Sequence, residues 1–87
     1  MDSGFSWQQL FENWPEDMPR VGIITTTFQE SIGFANFLVA EGLLALERDR
    51  PDSLGARKTV ISISAITSLK MTDTNDFMEI AKLGFRK

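Results

Sequence analysis

Apolar positions follow a helical period near the amino terminus and a strand period through most of the remaining chain. Trp7, Leu10, Phe11 and Trp14 recur at i, i+3, i+4 and i+7, which places one apolar stripe on a short helix over residues 6–14. Ser6 as N-cap with Gln9 three residues on forms a capping box, and Phe5 with Leu10 forms a hydrophobic staple. Pro15 disfavours helical geometry at Trp14 and ends the helix. Beyond the loop 15–19, a run rich in Val, Ile and Thr predicts a first strand over 20–28. The consecutive Thr25, Thr26 and Thr27 mark a solvated strand face; a nucleophilic threonine would need a free terminal amine or a neighbouring base.

Residues 31–48 admit two readings. Ser31 can cap a helix running to Arg48, and the Leu, Ala and Glu content of 38–47 favours one. Against it, Gly33 and Gly42 would each cost about 1 kcal/mol inside a helix, and Gly42 suits a turn at Ala40-Glu41-Gly42. Two strands, 32–39 and 43–50, are the preferred reading, the first with both faces buried. Thr59–Ser64 alternates cleanly, Ile61 and Ile63 against Ser62 and Ser64, as a half-buried strand does. Strands over 57–64 and 66–72 follow, so that 43–50 and 57–72 form a hairpin around Pro51-Asp52-Ser53-Leu54-Gly55. In the tail 73–87, Asp76 with Glu79 opens a short helix whose Phe77, Ile80 and Ala81 share a face, and Gly84 closes it.

Composition narrows the chemistry more than it names it. A chain of 87 residues suits one domain, 1–87, and buries only roughly 60–65% of its unfolded surface, so association between subunits would add needed stability. Its net charge of −3 counts against binding nucleic acid through phosphate neutralisation alone. The chain has no Cys, no His and no Tyr, which removes disulfides, thiolate metal sites, the usual base near neutral pH and a common proton donor. No apolar run reaches the ~20 residues of a membrane span, and Met1–Phe5 lacks the basic start of a signal peptide. A cytoplasmic protein without membrane association is expected.

The order of a short helix and five short strands, closing on Ala65-Ile66-Thr67-Ser68-Leu69, resembles the Sm-like family of small ring-forming, RNA-binding barrels. The match is best over Thr59–Ser68, where two strands meet at a sharp bend before an Ile, and it covers about residues 6–72. The resemblance implies a mainly β fold, a five-stranded small Sm-like barrel with a short N-terminal helix, to which the signals in the tail add a short C-terminal one. It implies a homo-oligomer built by pairing edge strands, with RNA or single-stranded nucleic acid as ligand. Two family features differ here. Of the Phe-Asp pair that helps hold bases, only Phe37 has a counterpart, and Ile63-Ser64 stands where bacterial members carry a Lys-His pair facing the pore.

Candidate contacts for nucleic acid or another anion are Arg48, Arg50, Arg57 and Lys58, gathered at the hairpin tip. Glu47, Asp49 and Asp52 lie among them, so cross-strand charge pairs on a solvated hairpin explain the cluster equally well. A backbone phosphate nest at Ser53–Ala56 is a further candidate. Phe28, Phe34 and Phe37 lie in apolar runs and belong to the core. No nucleotide, hydrolase or metalloprotease motif occurs, and Glu30, Glu41 and Glu47 show no spacing that singles out a catalytic pair. The reading is a non-catalytic binding module with no metal and no cofactor. Its partners are a second copy of itself and RNA or single-stranded nucleic acid, or instead a protein partner on an adaptor ring without nucleic acid.

Overall fold

Residues 3–86 are described by the computed structural model, with side chains from Ser6 onward. A helix α1 (Ser3–Glu12) precedes five strands: β1 (Gly22–Thr26), β2 (Ser31–Ala40), β3 (Leu43–Arg48), β4 (Lys58–Ser62) and β5 (Ile66–Lys70). A 3-10 segment, Ile63–Ala65, separates the last two strands, and a 3-10 helix, Phe77–Leu83, follows them. The fold is mainly β, one antiparallel sheet in the order β4-β3-β2-β1-β5.

The helical reading of 31–48 is overturned: β2 and β3 pair along Phe37↔Leu46 to Ala40↔Leu43, and Gly42 turns between them with φ 76°. The expectation that both faces of β2 are buried fails too. Ile32, Phe34 and Phe37 are buried while Ala35, Asn36, Leu38 and Ala40 are exposed. The register of β2 against β3 shifts between Phe34 and Asn36. One extra residue there slips the alternation, so the inward set is 32 and 34 before the bulge and 37 and 39 after it.

The other strands are shorter than expected. β1 stops at Thr26, whose buried Oγ1 accepts from the N–H groups of Phe28 and Glu30 and so bends the chain. Gln29 completes that turn with φ 62°. Thr26 therefore faces inward while Thr25 is half-buried and Thr27 exposed, and Phe28 lies outside the core at 85% exposure.

At the amino terminus the helix already includes Ser3, Gly4 and Phe5. Ser6 and Gln9 thus lie inside it, and the expected capping box does not form, because a cap needs extended geometry where this backbone is already helical. The Phe5–Leu10 staple involves a side chain outside those described. The apolar stripe does hold: Phe11 and Trp14 are buried, and Trp7 and Leu10 pack against the core.

Helix α1 is docked by both packing and polar contacts. Gln8 donates to the carbonyl of Ala40 and accepts from the N–H of Gly42, clamping the β2–β3 turn. Phe37 sits between the edges of Phe11 and Trp14, at ring-centroid distances of 5.1 and 5.0 Å. The Trp14 indole donates to the carbonyl of Met18, which satisfies the one polar atom of this buried ring. Arg20 lies 4.5 Å over the Phe37 ring and donates to the Phe37 carbonyl.

The C-terminal helix forms as its end signals predict. Asp76 caps it by accepting from Met78 N–H, and Gly84 closes it with φ 105°. Leu83 is its buried anchor, whereas Phe77 and Ala81 face outward.

Candidate functional site

The hairpin tip is built around one carboxylate. Asp52 Oδ1 accepts from the N–H groups of Leu54 and Ala56, both at 2.8 Å. Its carbonyl accepts from Gly55, and its own N–H donates to Ala56. Gly55 supplies the positive φ, 87°, that this turn requires. These bonds correct the expectation of a phosphate nest at Ser53–Ala56. The amides of Leu54, Gly55 and Ala56 already converge on Asp52, so the anion in the nest is the protein's own.

The same bonds hold the Asp52 carboxyl below its ordinary value of 3.8, led by Ala56 and Leu54, with the Arg48 charge adding to them. A carboxylate lowered in the folded state contributes its stabilisation fully above the ordinary value and loses it only as the pH falls through the lowered one. The loop is therefore expected to stay ordered at pH 4 and to loosen in stronger acid. Asp52→Ala should loosen it at every pH, with amide exchange at Leu54 and Ala56 at least tenfold faster while exchange in β1 and β2 is unchanged. Equal exchange in both proteins would show that Asp52 does not organise the tip.

The four candidate cations are not equivalent. Arg48 ends β3 opposite Phe34, is half-buried, and has a buried Nε with no hydrogen-bond partner. Its backbone N–H donates to the Arg57 carbonyl at the base of the loop. Arg48 is thus part of the hairpin's own packing. Arg50, Arg57 and Lys58 are exposed. Lys58 stands opposite Glu47 in the β3–β4 register, and the Asp49 carboxylate lies against Gly33 on β2. Among the described residues, the ion pairs are those of Lys82 with Asp17 and with Glu79, at 2.9 and 2.7 Å. The cross-strand charge pairs expected at the tip are not closed, and three cations remain presented to solvent.

The aromatic side of a base-binding site is missing from the tip. Phe37, the one residue with a counterpart in the Sm-like base-binding pair, is buried at 1% exposure beneath Arg20. Phe34 is buried as well, so of the three phenylalanines assigned to the core only Phe28 is not there.

The outer face of the sheet carries a feature that periodicity conceals. The registers align Leu38, Ala45 and Val60 in one row across β2, β3 and β4, with Ala40 and Leu43 in the next. Leu38, Val60 and Leu43 are 72%, 64% and 48% exposed. The signal in the sequence is the surplus of apolar residues in 38–46, which a doubly buried strand accounts for equally well.

Among the described residues no group of acidic side chains is arranged to hold a metal ion, and no helix is long and apolar enough to cross a membrane. No protein-family model matches the chain, and neither do the curated proteins or the solved structures compared with it.

Proposed function

We propose that this chain is a non-catalytic, self-assembling small β-barrel of Sm-like type, acting as a binding module. The observation that carries the reading is the connection between the sheet's two edges. Strands β4 and β5 are at opposite ends of the strand order, yet only Ile63, Ser64 and Ala65 join them. In a flat five-stranded sheet the two edges would lie about 19 Å apart, whereas a 3-10 segment rises only about 2 Å per residue. The sheet must therefore curl. Both ends of the segment are pinned accordingly, Ile63 N–H to the Gly42 carbonyl and the Ala65 carbonyl to Thr27 N–H.

Such curling supports barrel closure and leaves the outer sides of β4 and β5 as short edges for copies of the same chain. Unpaired edges are templates for strand addition, and a chain of this size gains stability by covering them. Nucleic acid is the ligand that the Sm-like resemblance implies, and the exposed Arg50, Arg57 and Lys58 support it, since assembly repeats them around a rim. A protein-binding adaptor ring is the second reading, favoured by the buried Phe37 and by the apolar row Leu38–Ala45–Val60.

Light scattering tests the assembly. The protein is expected to exceed monomer mass at tens of micromolar, and Val60→Lys, a charge on the β4 edge, should reduce that mass with little change in the melt. A clean monomer at that concentration would sink both readings. Titration of a labelled oligonucleotide at two salt concentrations separates them. Phosphate-driven binding should weaken with salt, and replacing Arg50, Arg57 and Lys58 should flatten the slope by about one per lost contact. No binding at low salt leaves the adaptor reading.

A further inference from the structure

The C-terminal helix, Phe77–Leu83, is tied to the rest of the fold at few points. Leu83 is its one buried side chain. Lys82 reaches the Asp17 carboxylate at 2.9 Å on an exposed surface, and the same ammonium pairs with Glu79 inside the helix. Exposed ion pairs of this kind hold weakly. Among the described residues, the backbone hydrogen bonds at its ends stay within the segment, Glu79 N–H to the Asp76 carbonyl and Gly84 N–H to that of Ala81. A seven-residue 3-10 helix has little stability of its own, so its order depends on docking.

The helix also stands off the surface that it covers. A cleft of about 390 Å³ opens between its end and α1, bordered by Leu83 and Phe85 on one side and Trp7 and Leu10 on the other. A second, of about 290 Å³, opens over β5, where Leu69 and Met71 face Ile80 and Leu83. Gaps on this scale forfeit the dispersion contacts that fix a well-packed element. On the outer side Phe77 and Met78 are already 76% and 50% exposed while the helix is docked. Its departure would therefore give up little apolar burial beyond Leu83 and the partial cover of those four side chains.

The connecting loop carries an opposing cost. Asp73 Oδ1 accepts from Asn75 N–H, but its Oδ2 is buried with no hydrogen-bond partner. Asp73 borders a cleft of about 220 Å³ beneath the helix, with Met18 and Ile80. A carboxylate oxygen left unpaired and out of water is destabilising.

We propose that the C-terminal helix is a latch, which swings out about the loop 73–76 while the sheet stays folded and uncovers Trp7, Leu10, Leu69 and Met71. Leu83 and the Lys82–Asp17 pair hold it shut, and rehydration of Asp73 favours its release. The four uncovered side chains border one cleft and span α1 and β5, so release presents a single apolar strip. Switching elements are drawn from the least stable parts of a fold, and this segment meets that condition. The latch does not depend on edge-strand assembly, because neither Asp17, Lys82 nor Leu83 lies on β4 or β5.

Amide exchange on the full chain tests the release. Asp17→Ala, a change outside the helix, should speed exchange at Glu79 and Gly84 at least threefold and leave β2 and β3 unchanged. Asp73→Asn removes the buried charge and keeps the bond to Asn75, so it should slow exchange at the same two amides. Exchange at Glu79 and Gly84 as slow as in β2 and β3 would overturn the latch, and unslowed exchange in Asp73→Asn would overturn the role of the loop. Acrylamide quenching tests what is uncovered. In Leu83→Asp it should rise at least twofold, and the rise should vanish on a Trp7→Phe background, where only Trp14 reports. Unchanged quenching would mean that the helix frays without covering α1. Loss of protection in β2 and β3 of Leu83→Asp would make the helix part of the core, and either result refutes the proposal.

Discussion

Phe37→Ala is expected to lower unfolding stability by about 3–5 kcal/mol, the usual cost of removing a buried aromatic ring. A domain of this size has only roughly 4–13 kcal/mol in total, so the variant should be largely unfolded or close to it. The expectation rests on how many separate interactions end at this ring. Phe11 and Trp14 meet it edge-on, Phe34 contacts it at 6.0 Å, and Arg20 caps it while bonding to its carbonyl. Truncation opens a cavity where helix and sheet join and removes the face that orders Arg20. Denaturant melts of the wild type, Phe37→Ala and Phe37→Leu check this. Leucine should recover most of the stability, because hydrophobic replacements of similar volume are tolerated best. A loss under about 1.5 kcal/mol for alanine would mean that the aromatic cluster is not what holds α1 to the sheet. The same variants bear on function: if Phe37 served as a base platform, Phe37→Leu would weaken oligonucleotide binding while remaining folded, whereas its burial predicts no change.

The parts of this fold legible in the sequence are those where one local rule acts alone. The alternation places Ile61 inward because β4 has one wet face, although the strand stops at Ser62 and Ile63 reaches the core from the 3-10 segment that follows. The stripe Trp7, Leu10, Phe11 and Trp14 finds the core because the helix has one dry face. Asp76 and Gly84 end the last helix by local bonding and by a positive φ, which no tertiary contact needs to impose. Where two effects overlap, the pattern misleads. In β2 the bulge after Phe34 breaks the alternation, and an exposed apolar row fills the outward positions, so strand and helix periods fit almost equally well. Phe28 resembles its buried neighbours in composition, yet Thr26 turns the chain just before it. At the hairpin tip the number of basic residues is readable, but the division of labour is not. That Arg48 packs inward and that Asp52 occupies its own nest depend on backbone geometry set by Gly55 and the β3–β4 register.

Gly22→Ala is the second large effect expected, and it tests how closely β5 packs against β1. A Cβ added at Gly22 would lie 2.6 Å from the carbonyl oxygen of Lys70, and 3.2 and 3.4 Å from the Phe34 ring and the Leu69 methyl. The first of these is backbone of the neighbouring strand, in the ladder that pairs Ile23 with Lys70. Relief therefore requires β5 to move away from β1, at an expected cost of about 1–3 kcal/mol. Gly33→Ala is the matched control. Its added Cβ would approach an oxygen just as closely, 2.6 Å, but that oxygen belongs to the exposed Asp49 side chain, which can swing aside. Its cost should stay well under 1 kcal/mol. For a domain of this length each kcal/mol shifts the melting temperature by about 4–8 °C, so the two variants should separate clearly in paired thermal melts. Amide exchange should quicken along β5 in Gly22→Ala alone. On the proposed edge-strand assembly, in which β5 is one of the two edges offered to other copies, displacing it should lower the mass seen by light scattering, whereas Gly33→Ala leaves that mass unchanged. Equal melts for the two variants would mean that β1 and β5 are not held at this spacing, and the case for a closed, edge-pairing barrel would fall with them.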